Sequence, residues 1–156
     1  MTPFVAYTAG AFAFAGASLL AANWLHDRTG NFVYSRKLAH ALSGLLILVA
    51  PAAFDNNPVA PICLVSGFLL ILALTHQREV FHGIAKKGRL SEIYFAGGLI
   101  PCFASWWLID PYIGVAAGLF MAWGDGLTGL IRNFTTKEHS KDWRGAGGCL
   151  ALCLLL

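Results

Sequence analysis

An aspartate stands inside an otherwise apolar run, in Met121-Ala122-Trp123-Gly124-Asp125-Gly126-Leu127-Thr128-Gly129. At membrane depth a carboxylate costs on the order of 3 kcal/mol or more, so it persists only against a wet cavity, a cation or a basic partner. Asp125 lies about two helical turns before the next polar loop, which brings a water-filled vestibule within reach. Its functional reading is a Mg²⁺ ligand or a phosphate-site carboxylate; the plainer one is a structural ion pair with an arginine of the bundle. Gly124, Gly126 and Gly129 surround it, weaken the helix and give a ligand room near the backbone, which predicts a broken helix lining a cavity. Asp125, Gly129 and Arg132 fall at i, i+4 and i+7, one face of a regular helix. Gly124-x-Gly126-x-x-Gly129 formally matches the dinucleotide fingerprint, but that motif needs a preceding strand and a βαβ unit. Here it lies in an apolar span, and no Walker lysine follows.

Two basic groups accompany the carboxylate. In Ser35-Arg36-Lys37-Leu38-Ala39-His40, Arg36 and His40 are at i, i+4 and Lys37 and His40 at i, i+3. Charge anchoring at a membrane surface explains Arg36 and Lys37. It leaves His40, one turn into the apolar run, to bind phosphate, take a proton or cap a neighbour. The other group is Lys141-Asp142-Trp143-Arg144-Gly145. Lys141 and Arg144 are ordinary snorkelling residues at a span mouth, and with Arg132 they also form a cationic rim for Asp125. Several cations, one carboxylate and a glycine-rich helix suit a nucleoside triphosphate with Mg²⁺. Glu92, opening another span, is a candidate second metal carboxylate. His26, His76, His82 and His139 have no ligand-like spacing and are expected to be unremarkable.

The elements that position these residues are apolar runs. The expected spans are Phe4 to Leu25, Leu38 to Phe54, Val59 to Thr75, Ile93 to Ile109 and Tyr112 to Ile131, with a final run from Gly145 to Leu156. A bilayer core about 30 Å thick takes about 20 helical residues. The last run, at about 1.5 Å per residue, reaches only about 18 Å, so the expectation is a sixth span cut short within one transmembrane domain, 1–156, the N-terminal portion of a slightly longer protein. Met1 to Ala22 has no basic start and reads as a first span rather than a signal peptide. Gly114, Gly118, Ala122 and Gly126 form a small-residue stripe suited to helix packing. In the third loop, Val80, Phe81, Ile84 and Ala85 repeat at helical spacing, which predicts a short interfacial helix.

Composition agrees with this layout. Of 156 residues, 57% are hydrophobic and 12% charged, about half the charged share of a soluble domain. All 11 Lys and Arg residues fall in the first, third and fifth loops, whereas the second and fourth carry only Asp55 and Asp110. Basic loops stay cytoplasmic, so the N-terminus is expected outside and the basic loops inside. Dispersal of the cations among three membrane loops argues against nucleic acid. Cys63, Cys102, Cys149 and Cys153 sit in apolar runs without metal or disulfide spacing. The expected class is therefore an all-α, polytopic bundle of about six transmembrane helices.

Taken in order, these groups resemble the CTP-dependent polyprenol and lipid kinases (phytol kinase, dolichol kinase and CTP-dependent diacylglycerol kinase), with phosphatidate cytidylyltransferases as wider relatives. The resemblance covers about Arg36 to Gly145. Arg36-Lys37-x-x-His40 looks like the family's Arg-Lys-x-x-His, and Glu92-Ile93-Tyr94-Phe95 like the opening of a middle span there. Gly124-Asp125-Gly126 with Gly129 and Arg132 looks like its Gly-Asp-x-x-Ala-x-x-x-Gly-Arg block, and Lys141-x-x-x-Gly145 like its Lys-Ser-x-x-Gly-Ser block. The chain departs at Asp142 and Ala146, where the family has serine, and at Thr128, a small-residue position.

The resemblance implies phosphoryl transfer from CTP to the hydroxyl of an isoprenoid alcohol or related lipid at the cytoplasmic surface. Asp125, His40 and Lys141 are then catalytic. Arg36, Lys37, Gly124, Gly126, Gly129, Arg132 and Gly145 bind nucleotide or phosphate, and Asp125 and Glu92 hold Mg²⁺. The implied partners are a lipid alcohol, a nucleoside triphosphate and the bilayer. The alternatives are a cytidylyltransferase acting on a lipid phosphate, or a non-catalytic membrane subunit or transporter. No internal repeat of the transporter kind is present.

Overall fold

The computed structural model describes residues 3–54, 57–76, 78, 80–84, 90–135 and 143–155. They form helices α1 (Pro3–Thr29), α2 (Phe32–Ala53), α3 (Val59–His76), α4 (Ser91–Leu108), α5 (Pro111–Leu119), α6 (Asp125–Thr135) and α7 (Trp143–Leu155), with a π turn at Phe120–Gly124 joining α5 to α6. No strand occurs among the described residues. This is the all-α membrane architecture that the apolar runs required, since lipid-exposed backbone must satisfy its hydrogen bonds within helices.

Among the described residues, four segments are long and apolar enough to cross a membrane: Val5–Thr29, Phe32–Ala53, Val59–His76 and Pro111–Ile131. Large apolar side chains point outward, among them Leu20, Trp24, Leu74, Leu108, Tyr112 and Leu154, an outer surface suited to lipid rather than water. The 18-residue α4 packs on both α3 and α5.

Helix ends follow local chemistry. Gly30, at φ 64°, ends α1 in the left-handed conformation that glycine adopts without strain, and its N–H donates to the His26 carbonyl at 2.7 Å. One residue later the Asn31 side chain accepts from the backbone N–H groups of Val33 and Tyr34 and starts α2. Asp110 accepts from Tyr112 N–H ahead of Pro111, the favoured pairing at a helix start.

The expected interfacial helix of the third loop is not what the described part of that loop forms. Residues 80–84 are turns fastened to the ends of α1 and α2. Asn23 donates to the Val80 carbonyl at 3.0 Å and accepts from Gly83 N–H at 2.9 Å. The Ser35 hydroxyl, fully buried, donates to the Gly83 carbonyl. A Cβ at Gly83 would meet the Ala22 carbonyl oxygen at 2.6 Å, so only glycine fits against α1 there. These side-chain bonds to the loop backbone outweigh the apolar periodicity that predicted a helix.

The backbone of α2 packs on α1, α5, the π turn and α6. Its face toward α3 and α4 borders a cavity of about 460 Å³, lined by one face each of α1, α2, α3 and α4.

Candidate active site

The site begins with the first three turns of α2. Fixed by the Asn31 cap, they place Ser35 toward the third loop, and Lys37 and His40 toward α6. Lys37 Nζ donates to Asp125 Oδ2 at 2.8 Å and to the Asp125 backbone carbonyl at 2.6 Å. His40 Nδ1 lies 2.8 Å from the same carboxylate oxygen, close but poorly aligned for an N–H···O bond, so the contact is chiefly electrostatic. The flat side of the His40 ring stacks on Phe95 of α4, with centroids 4.2 Å apart and planes 12° from parallel. The ring is thus held by a carboxylate on one helix and an aromatic face on another. The Lys37 side chain is 9% exposed, whereas that of Asp125 is 48% exposed. The cation is buried and the carboxylate keeps an open side. The basic partner of Asp125 is a lysine, not an arginine, among the described residues.

The glycines around Asp125 act differently from the expected broken helix. The span runs unbroken through the π turn, a widened single turn of the kind found at functional sites. A Cβ at Gly129 would overlap the Lys37 side chain, so this glycine admits the lysine to the α6 backbone. A Cβ at Gly126 would come no nearer than 4.0 Å to the His40 Cβ, and one at Gly124 would lie 3.1 Å from Cys149 Sγ. The π turn also brings Trp123 across α2: its indole N–H donates to the Ala41 carbonyl at 3.1 Å, and a Cβ at Gly44 would overlap the ring. The Thr128 hydroxyl donates to the Gly124 carbonyl at 2.7 Å and helps satisfy the backbone beside the widened turn.

Arg36 and His40 line the polar end of the cavity together with Glu92. Arg36 Nε is buried and has no hydrogen-bond partner among the described residues. Such a buried donor suits an anionic acceptor. Glu92 is also buried, but its Oε1 lies 2.7 Å from His76 Nδ1, another close contact off the hydrogen-bond axis. Spacing gave no sign of this pair, because His76 ends α3 and Glu92 begins α4 across a loop. His82, also expected to be unremarkable, lies 2.9 Å from Asp27 Oδ1. Asp125 and Glu92 therefore have separate histidine partners, and no group of three or more His, Cys, Asp or Glu positioned to hold a metal occurs among the described residues. Arg132 and Gly145 belong to α6 and α7, and Lys141 lies outside the described residues.

A lysine, a histidine and an aspartate meeting beside an apolar cavity admit phosphate chemistry on an amphiphile, and the comparison with known proteins agrees at a coarse level. The chain is distantly similar to a phytol kinase. Phytol kinase 1, chloroplastic, of Arabidopsis thaliana shares 28% identity over 130 residues, covering 72% of this chain and 42% of that protein. The chain thus matches less than half the length of its relative. No protein-family profile matches the chain, and no solved structure matches it.

Proposed function

We propose that this chain forms the membrane-embedded site of a kinase that transfers a phosphoryl group from CTP to the hydroxyl of an isoprenoid alcohol or related lipid. One observation carries the reading: His40 both lines the apolar cavity and contacts Asp125. A lipid hydroxyl at the polar end of the cavity would meet phosphates held near Asp125 at that one side chain.

Phosphoryl transfer needs positioning and charge neutralisation more than covalent chemistry from the protein. Lys37 orients the Asp125 carboxylate from its buried side, and Arg36 offers a donor to phosphate oxygen. His40 takes the alcohol proton as the new O–P bond forms and CDP departs, with Asp125 stabilising the protonated ring. Lys141 and Arg132 add positive charge for the nucleotide. A Mg²⁺ ion fits Asp125 in its donor chemistry, because Mg²⁺ commonly uses one or two carboxylates with substrate phosphates and water, and this carboxylate keeps an exposed side. Bound there, the ion would neutralise charge on the phosphates. By the distribution of basic loops, this end of the bundle faces the cytoplasm.

The test is phosphoryl transfer in membranes holding the full-length protein, with labelled CTP or ATP, Mg²⁺, and phytol, farnesol, dolichol or diacylglycerol as acceptor. The expected outcome is a labelled lipid phosphate and CDP, lost in Asp125→Asn. Pyrophosphate release would instead identify cytidylyl transfer. No product from a folded protein with any acceptor would overturn the kinase reading.

A further inference from the structure

We infer that Phe95 sets the plane of the His40 ring, and that the buried His76–Glu92 contact holds α4 in the rotation that lets it do so. Phe95, Glu92 and His76 are then positioning residues for His40. The use of His40 in transfer rests on the kinase reading above; the orientation of its ring rests on the geometry alone.

Asp125 by itself does not orient the ring. Its Oδ2 meets His40 Nδ1 at 2.8 Å, off the hydrogen-bond axis, and one contact of that kind holds an atom without fixing a plane. The torsion that turns an imidazole has broad wells and fixes it no better. The stack on Phe95 supplies the missing constraint, with centroids 4.2 Å apart and planes 12° from parallel. With Nδ1 turned to Asp125, Nε2 is the nitrogen left for a ligand in the cavity that His40 lines. The direction of Nε2 therefore follows from the place of Phe95.

The place of Phe95 depends on the rotation of α4. The backbone of α4 packs on α3 and α5, and Phe95 reaches across to α2 by its side chain. A helix with its side chains is about 10–12 Å across, so a turn of about 20° carries a ring at the rim by roughly 2 Å. That is about half the stacking distance. Side-chain caps from Asn31 and Asp110 start α2 and α5, whereas Leu90 gives α4 no such bond. The start of α4 is held by Glu92, three residues before Phe95 and on the same face. Its Oε1 lies 2.7 Å from Nδ1 of His76, the last residue of α3. The two side chains are 6% and 10% exposed, and exclusion of water strengthens the contact. A carboxylate in a first turn also faces the positive end of its helix dipole. His76, Glu92, Phe95 and His40 thus form a chain from the end of α3, along one face of α4, to the site on α2.

The test reads His40 directly. Full-length protein labelled with ¹³C,¹⁵N-histidine in phosphatidylcholine nanodiscs gives its ring C–H resonances by NMR, and loss in His40→Gln assigns the His40 signal. Protons over the face of an aromatic ring move upfield, so in wild type the His40 ring protons should lie upfield of a free imidazole. Phe95→Leu should return them toward the free position, and Phe95→Tyr, which keeps the ring, should not. The double variant His76→Leu/Glu92→Leu leaves no buried charge without its partner, which spares the fold, and it should also move the signal downfield. If it does not fold, Glu92→Gln, which removes the charge from the contact, decides the same point with a smaller shift. Trp106→Phe, a buried change three turns further along α4, should leave the signal in place. In transfer, Phe95→Leu and the double variant should lower kcat about tenfold, part of the hundredfold or more that a positioned base supplies, with KM for CTP unchanged. An unmoved His40 signal in Phe95→Leu or in the folded pair variant, an equal shift in Trp106→Phe, or an unchanged kcat beside an active wild type overturns the inference. Absence of transfer in wild type with these shifts intact overturns only the kinase reading.

Discussion

Lys37 reaches Asp125 twice, through its carboxylate at 2.8 Å and its backbone carbonyl at 2.6 Å. The lysine ties α2 to the backbone of α6 as well as to its charge. Removing one partner leaves the other without its counter-charge, and Lys37 is the buried member. Asp125→Asn and Lys37→Met should each destabilise the fold by about 1–3 kcal/mol, below the range for a fully buried pair because Asp125 is half exposed. The double variant should lose less than the sum, with a coupling of about 1 kcal/mol or more. Unfolding of the three variants in one detergent measures this; strict additivity would count against the pairing.

Gly129 is the second test of the same contact. Gly129→Ala places a methyl group where the Lys37 side chain passes. It should lower transfer activity by about a hundredfold, the scale of a misplaced positioning group. Gly97→Ala is the control, because nothing lies within 4 Å of the added Cβ. Helix propensity predicts that it is neutral or stabilising by up to about 1 kcal/mol. Equal effects at the two positions would show that Lys37 does not need the space.

Trp123 and Gly44 should behave as a packing pair. Gly44→Ala collides with the indole and should cost about 1–3 kcal/mol, as overpacking does. Trp123→Leu removes both the collision and the hydrogen bond to Ala41. In the combination, the cost of Gly44→Ala should largely vanish. Thermal unfolding of the two singles and the double reads this directly.

Glu92 separates an ion-holding role from a structural one. Its described partners are His76 and the Ser91 hydroxyl, which donates to Oε2 at 3.3 Å, so Glu92→Gln should cost about 1–3 kcal/mol of stability while leaving the Mg²⁺ concentration for half-maximal transfer unchanged. A large rise in that concentration would restore Glu92 as a metal ligand.

The sequence exposed the frame of the molecule because the frame depends on apolar length. The run from Val59 to Thr75 became α3, ending one residue later at His76, and the Asp110-Pro111 turn starts α5. Residue type and spacing also singled out Lys37, His40 and Asp125, since His40 and Asp125 are costly in an apolar run and Lys37 shares a helix face with His40. Their meeting was not visible: it joins residues 85 or more apart along the chain, through a close approach that depends on Gly129. The π turn left no pattern either, because one widened turn does not alter composition. His76 looked like a loop residue because its partner, Glu92, comes from another helix. The turns at 80–84 replaced an expected helix because Asn23 and Ser35, far away in sequence, supply their hydrogen bonds.

Those turns bear on how the cavity is filled. Ile84 lies buried against its wall beside Leu72 and Ala96, held by the loop's bonds to α1 and α2. The roof is therefore fastened on the side of the basic loops. Leu45 and Val49, also wall residues, are about half exposed at 47% and 52% on the outer face of α2. A lipid substrate of the kind proposed would enter this cavity sideways, by diffusion within a leaflet. Its occupancy then follows its mole fraction among the surrounding lipids, so bilayer composition rather than aqueous solubility becomes the quantity that governs supply.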